Sequence, residues 1–353
     1  MATSELMAII KLIHYELMPY KIKLSTPWET ASSCLHFRQG ILVKLVDQHS
    51  HIAIGECAPM PEIGTESLSR AQQFLEQKLA SLVGQALTDI SLNDMDDYPA
   101  SHFALESAYL SLLAHSQHLS FTQCLADLEG KHPQKLQPLS EHKRIRVNAM
   151  LGTLDFAVLT RVKQAEAEGF TCLKFKIGLT SLNNEIKQLK ILLQQVSAST
   201  LIRLDANKSW SVSETEQLLD SLRAFSSQID SIEEPLKHYS HNDYQKLQQQ
   251  TTIPLALDES FDGQLTAYPL KRLVLKPMIQ GSLVKTLMLA RQAQKDKIEV
   301  VITSSIETAY GLWPISHLCA LLDNQQYHGL ATASWLEDTL IEPPEIKHGL
   351  ITL

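Results

Sequence analysis

The sequence has few features that would place its 353 residues outside the ordinary globular proteins. Its five cysteines, Cys34, Cys57, Cys124, Cys172 and Cys319, are odd in number and far apart, with no C-x-x-C pair. This excludes a disulfide framework and a cysteine-based zinc site, and makes a reducing cytoplasm the expected setting. No run of lysine or arginine occurs, and the net charge is -8, so no nucleic-acid partner is expected, because neutralising phosphates takes clustered cations. The partly apolar stretch 7–19 is interrupted by Lys11, His14 and Glu16 and is shorter than a bilayer span; neither a membrane partner nor a signal peptide is expected. Neither G-x-G-x-x-G nor G-x-x-x-x-G-K-[ST] appears, which argues against a nucleotide-binding open sheet. Internal repeats and low-complexity segments are missing too. No contiguous apolar outer patch is legible, so a monomer is favoured, with a homo-oligomer as the alternative.

Hydrophobic residues make up 44% of the chain and charged residues 20%, enough to bury a sizeable core. The length exceeds that of most single cores, so two units are expected. Residues 1–135 read as an α+β domain: strand patterns at Ile9–Leu24, Gly40–Asp47 and His51–Cys57 precede helical patterns at Ser67–Leu82 and Ala100–Ser116. From 140 to 336 short apolar runs alternate with amphipathic helices, the signature of a parallel sheet. The runs are Ile145–Leu151, Cys172–Ile177, Thr200–Asp205, Ile229–Glu233, Ile253–Asp258, Arg272–Lys276, Glu299–Thr303 and Leu330–Ser334. Eight strands point to a barrel, with residues 337–353 returning to the first domain.

In such barrels chemistry sits at the C-terminal ends of the strands. Five consecutive runs end in charge: Lys174-Phe-Lys176, Arg203-Leu-Asp205-Ala-Asn207, Glu233-Glu234-Pro235, Asp258-Glu259-Ser260 and Lys276-Pro277. Because side chains alternate, Lys174 and Lys176 share a face, as do Arg203 and Asp205. That much interior positive charge requires anions nearby, and Asp205, Glu233 and Asp258 supply them. Three carboxylates without histidine form a hard oxygen donor set, which favours Mg²⁺, with Mn²⁺ as a substitute, over zinc. Such an ion would polarise a substrate carboxylate as a Lewis acid. Lys176, crowded by Lys174 and Arg203, is expected to have a lowered pKa suited to a general base, with Lys276 entering from the opposite side. Any single strand-end acid is more often a helix cap than a ligand, but five strand ends rarely agree by chance. The fourteen histidines are scattered and read as surface or core residues.

Together the motifs L-K-F-K-I-G, I-R-L-D-A-N, I-E-E-P, L-D-E-S and L-K-P resemble the enolase superfamily, in its muconate-lactonising subgroup, and there the o-succinylbenzoate synthases. The resemblance implies an α/β fold, a modified TIM-type (β/α)7β barrel with an α+β capping domain at its N-terminus. It implies Lys176 as base, Lys174 as its partner, Lys276 as the opposite-face cation, and Asp205, Glu233 and Asp258 as Mg²⁺ ligands. The segments Thr26–Thr30 and Gly55–Pro61 resemble the loops that close over substrate. Ser304, Ser305 and Glu307 match a stretch placed near the succinyl group, and Arg203 and Asn207 stand as supporting residues. The activity implied is syn dehydration of a cyclohexadiene carboxylate in menaquinone synthesis. N-succinylamino acid racemase and dipeptide epimerase are the alternatives within the fold. A barrel that only binds an acidic ligand is a remote one, since it predicts loss of at least one rim charge and none is lost.

Overall fold

The computed structural model describes residues 10–29, 34–128, 143–263, 265 and 270–353. The boundary expected between 135 and 140, and residue 30 of the first loop, lie outside them.

An antiparallel sheet comes first. Strands β1 (Leu12–Glu29), β2 (Cys34–Asp47) and β3 (Ile52–Cys57) pair in that order, β1 running on past its expected end at Leu24 and β2 starting before its expected beginning at Gly40. Helices α1 (Leu68–Leu82) and α2 (Pro99–Gln117) pack on the sheet, and α3 (Phe121–Leu128) packs on α2. Helix α1 begins at Ser67, whose hydroxyl accepts the Arg70 amide as an N-cap. It buries Ala71, Leu75, Leu79 and Leu82, one stripe at helical spacing; each leucine contributes about 1.5–3 kcal/mol of transfer free energy. Helix α2 is buried almost all round because it lies between this sheet and the barrel. It can approach β3 so closely only because residue 55 is glycine: a Cβ there would stand 1.9 Å from the Ala104 carbonyl oxygen.

The barrel follows. Strand β4 (Arg144–Arg146) precedes the parallel strands β5 (Ala149–Thr153), β6 (Cys172–Lys176), β7 (Leu201–Asp205), β8 (Ile229–Glu233), β9 (Leu255–Leu257), β10 (Arg272–Leu275) and β11 (Glu299–Ile302). These seven strands, β5 to β11, pair in sequence order in one sheet. Between and after them run α4 (Val158–Ala167), α5 (Leu182–Gln195), α6 (Val212–Leu222), α7 (His241–Gln250), α8 (Pro277–Gln280), α9 (Leu283–Lys295) and α10 (Ala309–Leu322). The sheet closes through single bridges on either side of a two-residue eighth strand: Thr303 with Gly329, and Val147 with His328. The expected last strand at Leu330–Ser334 is therefore corrected. Those residues form a turn and the start of a 3-10 helix, Ala333–Trp335, because the backbone partners on both sides are spent at 328 and 329.

The expected run Ile145–Leu151 likewise divides. β4 pairs with β13 (Leu350–Thr352), which pairs with β12 (Ile346–Lys347), and only the part from Ala149 enters the barrel. The chain's end thus touches the capping sheet at Leu336 and Glu337, beside Leu24 and Lys23, and then turns away to pair with β4. No helix among the described residues is long and apolar enough to cross a membrane.

Candidate active site

Register brings the strand ends together. Lys174 pairs with Arg203, Lys176 with Asp205, and Asp205 with Glu233, so the charges expected on one rim do stand side by side. Phe175, between the lysines, faces the helices and is fully buried. A cavity of about 230 Å³ opens above the rim. Lys174, Lys176, Asp205, Asn207, Asp258 and Lys276 line its floor, and Ser304, Ser305 and Thr332 one wall. Trp28, Met60, Glu62 and Ile63 of the capping domain close it from above.

The three lysines have different surroundings. Lys174 donates to Asp205 Oδ2 at 2.9 Å and to Glu233. Burial works against its charge, but Asp205, Glu233 and Asp258 outweigh burial and hold its pKa well above the usual lysine range. Lys276 donates to Asp258 Oδ2 at 2.5 Å and Glu259 Oε1 at 3.3 Å; burial is again outweighed, and its pKa is raised as well. The ammonium of Lys176 lies over the Trp28 ring, 4.3 Å from its centre.

Among the carboxylates, burial pushes Asp205 up but Lys174, with Lys276 and Lys176, more than offsets it, so its pKa falls below the usual range. Asp258 goes the other way: burial and the neighbouring Glu259 push it up, only partly offset by Lys276 and Lys174. Asn207 steadies Asp205, donating from Nδ2 to Oδ1 at 2.7 Å. Among the described residues no three acidic, histidine or cysteine side chains are gathered around one point as they stand, because lysine ammoniums separate the carboxylates.

Arg203 faces the barrel interior as alternation requires, but it lies too deep to line the cavity. Its guanidinium, 1% exposed, donates to Asp230 Oδ2 at 2.7 Å and Asn148 Oδ1 at 3.1 Å, and Arg272 donates to the same aspartate at 2.5 Å. Asp230, unmarked in the sequence, is thus its principal counterion. Glu307 also lies behind the cavity wall; its Oε2 accepts the Ser305 amide at 2.5 Å. Burial, and then Glu56, push its pKa up to about 7.

The capping domain fixes this wall. Glu56, fully buried, accepts the Thr308 amide and hydroxyl and the Gly311 amide at 2.7–2.9 Å, capping α10. Residue 311 must be glycine for this, since a Cβ there would meet Glu307 Cβ at 2.6 Å. Arg38 donates to the carbonyls of Pro59 at 2.8 Å and Ile306 at 3.1 Å, and to that of Ala58, joining the second lid segment to the strand-seven turn. Arg38 and Glu56 went unmarked as site residues because only the folded interface reveals what they touch.

The barrel half, residues 157–353, matches the family model for an enolase C-terminal domain-like region, and residues 13–112 match the MenC N-terminal domain. The o-succinylbenzoate synthase of Yersinia pseudotuberculosis serotype I (strain IP32953) is 32% identical over 324 residues, covering 90% of each chain. Among solved structures, the o-succinylbenzoate synthase of Thermosynechococcus elongatus BP-1, complexed with Mg in its active site, superposes with a TM-score of 0.71 at 25% identity, over 90% of this chain and 92% of that one. The L-Ala-D/L-Glu epimerase of Bacillus subtilis gives a TM-score of 0.82 at 18% identity, over 97% of this chain and 96% of that one, a likeness of fold. With the paired lysines and carboxylates at successive strand ends and relatives matched across both domains, the chain belongs to the o-succinylbenzoate synthase family, lyases built on the enolase fold.

Proposed function

We infer that the cavity dehydrates 2-succinyl-6-hydroxy-2,4-cyclohexadiene-1-carboxylate to 2-succinylbenzoate, with Lys176 as the base. The observation that carries the assignment is the strand register, which sets Lys174 and Lys176 on one face of β6 beside Asp205, with Lys276 lining the same cavity. Lys174 and Lys276 are held protonated by the carboxylates around them, and a base must shed its proton at working pH, which disfavours those two lysines.

Asp205, Glu233 and Asp258, on three successive strand ends, are hard oxygen donors that suit a divalent cation. In this reading they hold Mg²⁺, for which Mn²⁺ can substitute, and the bound ion supplies Lewis-acid polarisation of the substrate carboxylate. Lys176 removes the α-proton and, from the same side, protonates the departing hydroxyl. Lys174 orients Asp205 and Glu233. Lys276 lies across the cavity as a fixed cation beside the forming ring. Ser304 and Thr332, hydrogen-bonded at 2.6 Å, give the succinyl end a hydroxyl-lined wall. That wall also favours the dehydratase over a dipeptide epimerase, because at the eighth-strand end Glu337 is paired with Lys23 and Asp338 accepts the Leu340 amide, leaving hydroxyls where an ammonium would need acids.

The division into a capping unit, 1–135, and a barrel, 140–336, fits this work: one supplies the cover and the other the charges. The four described cysteines are buried and free, in keeping with a cytoplasmic setting, and a cavity of about 230 Å³ suits a single small dianion.

The test is loss of the diene absorbance on incubation with this substrate and Mg²⁺, with a chelator control and parallel polarimetry on N-succinylamino acids. Fast, chelator-sensitive loss without racemisation is expected. Slow dehydration with fast racemisation would transfer the site to the racemase, and activity that survives excess chelator would overturn the metal assignment.

A further inference from the structure

Glu234 takes no part in the chemistry assigned above, yet it is 1% exposed and has a positive φ of 44°, a backbone conformation costly for a side chain with a Cβ. It stands where β8 ends, between Glu233 and Pro235. Its amide continues the parallel ladder, donating to Ala256 O at 3.0 Å. In a regular ladder its carbonyl would next accept the Asp258 amide. The left-handed turn sends that carbonyl elsewhere, to the Lys208 amide at 2.7 Å in the loop after β7.

Asp258 N is thereby left without a backbone acceptor, and the Glu234 side chain takes over. Oε1 accepts the amides of Asp258 at 2.7 Å and Ser260 at 2.8 Å, and Oε2 accepts the Ser260 hydroxyl at 2.7 Å. One residue therefore ties together the ends of β7, β8 and β9, the strands that present Asp205, Glu233 and Asp258. It also accounts for β9 ending at Leu257: beyond that point its ladder runs on a side chain.

We propose that Glu234 is a positioning residue whose carboxylate, by replacing a missing ladder carbonyl, sets the turn that aims Asp258 and Glu259 into the cavity. The work is done by reach and hydrogen-bond acceptance rather than by charge. This rests on the reading of Asp205, Glu233 and Asp258 as ion ligands. Reach and charge are separable: Glu234→Gln keeps a carbonyl oxygen at full length for both amides, with the Ser260 hydroxyl able to rotate and accept from the new NH₂. Glu234→Asp keeps the charge but is one methylene short of both amides.

The experiment is calorimetric titration of the full chain with Mg²⁺ alone, wild type against E234Q and E234D, with melting temperatures recorded alongside. E234Q is expected to bind within about threefold of wild type, and E234D about tenfold or more weakly, the range for lost orienting partners of metal ligands. Wild-type affinity in E234D, or a loss confined to E234Q, would overturn the proposal. If E234D does not fold, Ser260→Ala carries the test, since it removes only the Oε2 contact: affinity weakened by more than about threefold, toward tenfold, supports the proposal and affinity within about threefold of wild type overturns it. If the wild type itself shows no Mg²⁺ binding, the ligand assignment fails, an outcome distinct from any difference between variants.

Discussion

The Lys176 ammonium lies 4.3 Å from the centre of the Trp28 ring, so a side chain of the capping sheet covers a lysine of the barrel. Trp28 is braced in turn by Trp335, edge-on at 4.9 Å. A cation over an indole face is worth about 0.5–2 kcal/mol, more as water is excluded. Trp28→Leu should therefore lower kcat/KM by about tenfold, through both a raised KM and a lowered kcat. Steady-state kinetics test this; an unchanged kcat/KM would show that the ring neither closes the cavity nor places the lysine.

Lys176→Ala should cut turnover by about 10³-fold, the scale of a lost general base, while Mg²⁺ binding and melting temperature stay near wild type. Lys174→Ala should behave differently. It removes the ammonium that separates Asp205 from Glu233, so its Mg²⁺ affinity should change along with its rate. Near-wild-type turnover in Lys176→Ala would refute the base assignment.

Asp230 holds Arg203 and Arg272 in the closed lower barrel. Asp230→Asn leaves two buried guanidinium groups short of a counterion and should cost about 3–5 kcal/mol of stability, read from urea denaturation. A loss below about 1 kcal/mol would mean that Glu233 and Glu299 suffice as partners.

His328, on the two-residue closing strand, accepts the Ile302 amide at Nδ1, 3.0 Å away, and has Nε2 3.1 Å from Asn324 Oδ1. Its ring is therefore neutral, with the proton on Nε2. Burial, and then Arg203, press its pKa down to about 3. In the unfolded chain the ring takes up a proton below about pH 6.5, which the folded chain resists. Stability present above that pH is accordingly lost as pH falls from 6.5 toward 3, by about 2 kcal/mol at pH 5 from this residue. Denaturation midpoints between pH 7 and 5 should fall less steeply in His328→Gln; a wild-type slope in that variant would remove His328 as the cause.

The strand-end charges were legible because alternation and barrel topology are local and repetitive. Lys174, Lys176, Asp205, Asp258 and Lys276 all reach the cavity, and Glu233 stands just behind it on Lys174. Alternation gives a side but not a depth, which is why Arg203 shares their face yet lies below the cavity, held by Asp230. The closing strand was misplaced by a few residues because two bridged positions carry no periodicity. Glu234 was visible as half of an acidic pair, but its positive φ and its hold on Asp258 depend on where the Lys208 amide falls, a contact between loops far apart in sequence.

Glu56 is a β3 residue that caps the start of a barrel helix, and Tyr20 donates to it as well, at 2.5 Å. A barrel produced alone would begin α10 with the Thr308 amide and hydroxyl unmet, and a capping sheet produced alone would carry a carboxylate built for absent partners. At this contact the two halves complete one another. Exchange of capping sheets between related chains would succeed only where the acid on the third strand and the threonine and glycine of the receiving helix travel together.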